Sequence, residues 1–268
     1  MFLNARKIKL NRRLNMTQTK QRPVIVTGGS RGIGAEIVRL LAARKIPVCF
    51  NYTSRITEAQ LLARELEEQG QAFCMVQADV SEPSSVLSLF EECDAKFGAL
   101  GGLVNNAGFV GKAGRRIDTL DIDTLRKTFD INVIGPILCA QQALKRLSTK
   151  HGGGGGRIIN VSSIASRTGS PNDWVDYAAS KAALNTFTLG LAREVAKEGV
   201  QVTGVAPGGV ATNLHAIAGA PERIDRLAQV TPIGRAAEAK EIAEVVLWAL
   251  LDAPDYVTGT TIDVAGGL

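Results

Sequence analysis

The 268-residue chain reads as an α/β protein built on one doubly wound parallel sheet, and three observations predict this. Its 45% apolar content is enough to bury one large core rather than two small ones. Short β-branched runs alternate with longer stretches of helical period along almost the whole length. A glycine-rich turn at 27–34 joins the first such run to the first helix.

The elements follow in order. Residues 23–27 form a β-branched strand and 33–43 an amphipathic helix, the first βα unit. The apolar run 47–52 predicts a second strand, the Glu/Leu-rich segment 58–69 a helix, 72–78 a third strand, 83–97 a helix and 102–105 a fourth strand. The second half repeats the pattern, with one long helix over 120–147, a strand at 157–161 and a helix at 176–197. A strand at 200–205, a helix at 238–251 and a last strand at 260–264 complete it. Strands joined by helices in this order must run parallel, with helices covering both faces.

Charge and cysteine usage narrow the class. The chain carries 31 Lys and Arg against 26 Asp and Glu; Arg6, Lys7, Lys9, Arg12 and Arg13 account for the whole excess. Residues 1–20 therefore read as a basic extension that contributes nothing to the fold, with Met16 an alternative start, and 21–268 as a single domain. A formally neutral body argues against a nucleic-acid partner. Cys49, Cys74, Cys93 and Cys139 have no CxxC spacing, which suits free thiols in a reducing compartment. No stretch approaches the length of a membrane span, and no secretory signal opens the chain, so a cytoplasmic location is expected; the acid-free start is also compatible with an organellar transit peptide. No His/Cys/acid cluster has metal-ligand spacing, and no metal is expected.

In a doubly wound sheet, ligands sit beyond the carboxyl ends of the strands, near the switch in strand order. That rule points to 28–34, 51–55, Asp79, 105–108, Ser162, Ser163, Pro207 and Gly208. In Thr27-Gly28-Gly29-Ser30-Arg31-Gly32-Ile33-Gly34 the glycines let backbone approach a pyrophosphate, and the helix N-terminus faces it. Tyr177 and Lys181 are four apart on a predicted helix, so the ammonium lies on the same face as the phenol and favours its ionised form.

The spacing TGxxxGxG, followed in order by Asn105-Asn106-Ala107-Gly108, Asn132, Tyr177-x-x-x-Lys181 and Pro207-Gly208, resembles the short-chain dehydrogenase/reductase family from about Arg22 onward. The resemblance implies a Rossmann-type single domain with a small substrate lid at 213–230. It implies hydride transfer between a nicotinamide and a carbonyl or secondary alcohol. Tyr177 is then the acid/base, Lys181 lowers its pKa and holds the ribose, and Asn132 supports a water and the lysine through its backbone. A serine after the preceding strand bonds the substrate oxygen; Ser163 is favoured as the second of its pair, although one residue farther from Tyr177 than is usual, and Ser162 stays open. The loop 169–174 absorbs the extra residue.

The resemblance places the cofactor against Gly28, Ser30, Arg31, Gly32, Ile33 and Gly34, then Asn51, Tyr52, Ser54 and Arg55. It continues along Asp79, Val80, Asn105, Ala107, Gly108, Tyr177, Lys181, Pro207, Gly208, Val210 and Thr212. NADP(H) is expected over NAD(H), because no acid follows the second strand to hold a ribose hydroxyl, whereas Arg31, Arg55 and Ser54 suit a 2′-phosphate. Phe109, Val110 and Trp174 are expected at the substrate. The chain is similar to 3-oxoacyl-carrier-protein reductases and sugar dehydrogenases, and a 3-oxoacyl thioester, a ketone or a sugar all remain open. A non-catalytic dinucleotide sensor and an epimerase or dehydratase are the alternatives; the latter group carries TGxxGxxG and a larger substrate domain. The helices over 125–147 and 177–195 resemble those that pair between subunits, implying a homotetramer.

Overall fold

The computed structural model describes residues 22–268, so the basic extension lies outside the described residues. Seven strands form one parallel sheet: β1 (Val24–Val26), β2 (Val48–Tyr52), β3 (Phe73–Gln77), β4 (Gly102–Asn105), β5 (Gly156–Val161), β6 (Val200–Pro207) and β9 (Thr261–Val264). Their order is β3-β2-β1-β4-β5-β6-β9. Two short strands not anticipated from the sequence, β7 (Val210–Ala211) and β8 (Ala237–Glu238), pair apart from it.

Why the sheet is buried on both faces is visible in single strands. Val24 and Val26 face one core with Val48, Phe50 and Val104, beneath the helices Gly32–Ala43 and Ala239–Leu247. Between them Ile25 faces the other way, with Cys49, Leu103 and Ile158, beneath the helices Pro83–Phe97 and Gly135–Leu147. Successive side chains of a strand point to opposite faces, so an unbroken apolar run fills two cores at once. Phe50 and Ile25 are fully buried, each worth about 1.5–3 kcal/mol in apolar transfer.

Helix ends carry local explanations. Pro83 opens its helix at a position where a missing N–H costs nothing. Asp121 accepts from the Thr124 amide to cap the helix Ile122–Phe129. Glu238 and Glu241 close a reciprocal box at the start of Ala239–Leu247.

The single helix expected over 120–147 is divided. Ile122–Phe129 passes into a wider π turn, Asp130–Ile134, before Gly135–Leu147 resumes α geometry. A second π turn, Trp248–Asp252, ends the last helix. The segment expected as a lid folds as two short helices, Leu214–Ile217 and Arg223–Val230.

β1 lies between β2 on one side and β4 on the other. The strand order therefore reverses there, and the carboxyl ends of β1 and β4 flank the crevice in which a doubly wound sheet binds its ligand.

Candidate active site

A cavity of about 580 Å³ opens at that crevice and runs from the glycine loop to the helix Val175–Val195. Its first wall is the turn after β1. Gly28 has φ +62°, and a Cβ there would lie 2.9 Å from Ala107 Cα; a Cβ on Gly34 would lie 2.3 Å from the Gly28 carbonyl oxygen. Only glycine allows the turn to close so tightly on itself.

Two asparagines hold the turn in place. The Gly28 amide donates to Asn51 Oδ1 at 2.9 Å while Asn51 Nδ2 donates to the Ala78 carbonyl at 2.7 Å, tying β1, β2 and the end of β3 together. Asn106 Nδ2 donates to the Thr27 and Gly28 carbonyls at 2.9 and 3.1 Å. The helix Gly32–Ala43 has no side-chain cap, so its first-turn amides remain open to a ligand anion. Ser30, Arg31, Gly32 and Ile33 line the cavity here.

Tyr52, Ser54, Arg55, Asp79 and Val80 continue the wall. Arg31 is held below the ordinary arginine value by burial and then by the Arg55 charge, so the two guanidiniums share one neighbourhood. No acid stands in 51–55, as the sequence shows, but Glu58, in the first turn of the helix Ile56–Glu68, pairs with Arg55 at 3.3 Å. The pair is exposed, leaving Arg31 as the better shielded cation.

Asn105 also differs from its expected place. It ends β4 with its side chain in the core, where Nδ2 donates to Asn160 Oδ1 at 2.9 Å and Asn160 Nδ2 to Thr188 Oγ1 at 2.8 Å. The cavity wall is made by Asn106, Ala107 and Gly108 instead.

At the far end, Lys181 is 3% exposed and its Nζ donates to the Val161 carbonyl at 2.9 Å. Burial alone lowers its pKa to about 8. Its ammonium lies 5.7 Å from the centre of the Tyr177 ring. Burial pushes the Tyr177 phenol above its ordinary value, opposed by a hydrogen bond with Ser163 and by the charge of Arg223. Both serines line the cavity but differ in partner: Ser162 Oγ donates to the Lys181 carbonyl at 3.2 Å, whereas Ser163 lies beside the phenol.

Asn132 sits fully buried in the π turn. Its Oδ1 accepts from the Phe109 amide and its Nδ2 donates to the Phe109 carbonyl, both at 2.8 Å, and Nδ2 also donates to Ser180 Oγ at 3.0 Å. The side chain is thus used in fixing the loop after β4 against the tyrosine helix. A Cβ on Gly108 would lie 3.6 Å from Asn132 Oδ1 and 3.8 Å from Lys181 Nζ, so this loop approaches both.

Beyond Tyr177 the wall is apolar. Val110, Trp174 and Ala218 form a small core with Ala113, Leu214 and Tyr177, and the Trp174 and Tyr177 rings meet edge to face at 6.1 Å. Pro207, Gly208, Val210 and Thr212 line the floor with Phe109. The sequence reading missed His215, Arg223 and Lys127 as cavity residues. Their only sequence signal was their place in or opposite the lid. His215 is buried, stacks on Trp174 at 6.0 Å, and is held below the ordinary histidine value by that burial and by Arg223. Lys127 lies over the Phe109 ring at 4.9 Å.

Among the described residues no group of three His, Cys, Asp or Glu side chains is placed to hold a metal, and no helix is long and apolar enough to cross a membrane. All four cysteines are buried and free.

Comparison with known proteins extends these observations. Residues 28–268 match the family model described as enoyl-(acyl carrier protein) reductase. The oxidoreductase YgfF of Escherichia coli (strain K12) is 42% identical over 243 residues, covering 91% of this chain and 98% of its own. An NADPH-dependent aldehyde reductase-like protein, chloroplastic, of Arabidopsis thaliana is 37% identical over 256 residues, covering 92% and 93%. Among solved structures, a blue fluorescent protein from a metagenomic library in complex with NADPH superimposes with a TM-score of 0.82 at 35% identity, over 92% of this chain and 97% of that one. A short chain dehydrogenase from Burkholderia cenocepacia J2315 in complex with NADP gives 0.82 at 33%, with the same coverage.

Proposed function

This chain belongs to the short-chain dehydrogenase/reductase family of oxidoreductases, and on that premise we propose that it reduces free aldehydes or ketones with NADPH, Tyr177 being the proton donor. The observation that carries the reading is the convergence of Ser163, Tyr177 and, one helical turn on, the buried Lys181 on one cavity whose other end is the glycine loop.

The residues fit a dinucleotide phosphate. The uncapped helix at Gly32 and the glycine turn offer amides to the pyrophosphate. Arg31, with Arg55 and Ser54 beside it, takes the 2′-phosphate. Bound NADPH supplies the hydride. Ser163 donates to the carbonyl oxygen and orients it, and Tyr177 transfers its phenolic proton to the same oxygen as negative charge develops there. Burial keeps that phenol protonated at neutral pH, which suits the reductive direction. The Lys181 ammonium then stabilises the phenolate left behind, and Asn132 holds the loop at Phe109 that closes the space.

Substrate choice rests on the wall of Val110, Trp174, Leu214 and Ala218, which supports a carbonyl compound with an apolar body rather than a sugar. The relative described as an aldehyde reductase-like protein supports the same choice. Assembly as a homotetramer is proposed as well, supported by exposed Ile134 in the π turn and exposed Leu189 on the helix Val175–Val195; a monomeric mass by light scattering would exclude it. The functional reading is tested by following NADPH absorbance with purified protein against aldehydes, ketones, acyl thioesters and sugars. Turnover of apolar aldehydes or ketones is expected; turnover of sugars or acyl thioesters alone would overturn the substrate assignment.

A further inference from the structure

The loop that precedes the tyrosine helix is wound unusually. Gly169, Ser170 and Asn172 all have positive φ, at 74°, 45° and 58°. Side-chain-bearing residues adopt that conformation only where the surroundings impose it. The winding delivers two neighbours, Asp173 and Trp174, to opposite tasks. Trp174 is buried with its ring edge to face with Tyr177. Asp173 reaches outward to two other segments: its Oδ1 accepts from the Gly114 amide at 2.9 Å and its Oδ2 from Arg223 Nε at 2.5 Å.

Arg223 opens the lid helix Arg223–Val230, and its guanidinium lies 4.1 Å from the centre of the Trp174 ring. It therefore makes a salt bridge with Asp173 and a cation–π contact with the next residue in the chain. His215, from the other lid helix, stacks on the same indole. The lid also meets the loop after β4, where the Ala113 amide donates to the Ala218 carbonyl at 2.9 Å and Leu214 and Ala218 pack with Val110 and Ala113. In this closed arrangement Trp174 Nε1 and His215 Nδ1 are buried with no hydrogen-bond partner among the described residues.

We propose that Asp173 and Arg223 are the latch of the substrate lid: the pair holds both lid helices against Trp174 and so sets the affinity for the carbonyl substrate without contributing to cofactor binding. Asp173 is a positioning residue, acting through Arg223 and Trp174 on the space above Tyr177. It also joins the lid to the loop at Gly114, so closing one segment closes the other. This inference rests on the reductase reading for its kinetic consequence, and on geometry alone for the closure itself.

Three variants of the full chain test it. Asp173→Asn keeps an acceptor for the Gly114 amide but removes the charge; Arg223→Met keeps an apolar cover over Trp174 but removes the salt bridge; the third combines both. Each single variant is expected to raise the carbonyl KM about 10-fold, with kcat falling less than KM rises, and the double variant no further than either single, because one shared interaction is lost only once. The Kd for NADPH, read by fluorescence, stays within about two-fold, and Arg223→Lys recovers part of the KM. Hydrogen exchange of residues 214–230 is measured alongside and is expected to quicken in both singles. Lid exchange unchanged in both, or KM increases that add in the double variant, overturn the latch. If the wild-type protein turns over no carbonyl compound, the reductase reading fails while the exchange data still decide for or against the latch.

Discussion

Replacing Lys181 by methionine separates its contribution to stability from its contribution to the reaction. The side chain is 3% exposed, and burial lowers its pKa from 10.5 to about 8. Each pKa unit corresponds to about 1.4 kcal/mol between the two protonation states, so carrying this charge into the fold at neutral pH costs on the order of 3 kcal/mol. The sign follows from linkage: the unfolded chain binds the proton more tightly, so the cost is fully present below about pH 8 and disappears as pH rises through 10.5. Methionine fills similar volume without charge but forfeits the 2.9 Å donation to Val161, worth roughly 1 kcal/mol. The variant should therefore be more stable than wild type at neutral pH by about 2 kcal/mol, a rise in Tm of roughly 4–8 °C for a domain of this size. Above pH 10.5 the advantage should vanish or reverse. Thermal melts of both proteins at the two pH values provide the measurement, and the same preparation should lose nearly all carbonyl reduction. A Tm at neutral pH equal to or below that of wild type would refute the reasoning, since the lysine would then be buried without penalty.

Three further outcomes follow from the site. Tyr177→Phe should lower kcat by about 10²–10⁴ while NADPH binding stays within a few-fold; because reduction needs the protonated phenol, wild-type kcat/KM should fall as pH rises through the elevated Tyr177 value, with oxidation of the alcohol showing the opposite slope. Retention of a tenth of wild-type kcat in the Phe variant would rule out the assignment. Arg31→Ala should reduce kcat/KM with NADPH by roughly 10–100-fold and leave NADH nearly untouched, and Arg55→Ala should do less because Glu58 already neutralises part of its charge; equal losses with both cofactors would place the phosphate elsewhere. Ser163→Ala should act on kcat, whereas Ser162→Ala should act on stability, by about 1 kcal/mol through its bond to the Lys181 carbonyl. Swapped effects in kinetics and melts would reverse the roles of the two hydroxyls.

How much of this was legible in the amino-acid sequence depended on whether the determining physics was local. The seven main strands were, because each is a short, largely apolar run set off from segments of helical period. The two-residue strands β7 and β8 were not, since alternation cannot show itself in two positions. Neither π turn has a local signature; Asp130–Ile134 and Trp248–Asp252 would both serve as ordinary helix. The misplacement of Asn105 came from a boundary one residue wide: the last residue of β4 turns into the core and the next one reaches the cavity. Glu58 was within reach of sequence reasoning, standing three residues after Arg55 where the two meet on a helix turn. The partnership of Asp173 with Arg223 was not, because fifty residues separate them and only the folded chain brings them together.

The wider turn at Asp130–Ile134 has consequences for what the gene can tolerate. One extra residue in a turn sets the helix after it out of phase by about 100° with the helix before. The leading half presents Thr128 to Asp176, next to Tyr177, with Thr128 Oγ1 donating at 3.0 Å. The trailing half presents Cys139, Ala140 and Ala143 to the sheet. Regular winding would serve one of these clients and rotate the other away. Point changes on this rod are therefore absorbed one contact at a time, whereas deletion of a single residue anywhere in the turn forces a choice between a packed sheet face and an aligned tyrosine helix. Variation in this stretch should consist of exchanged residues and almost never of altered length.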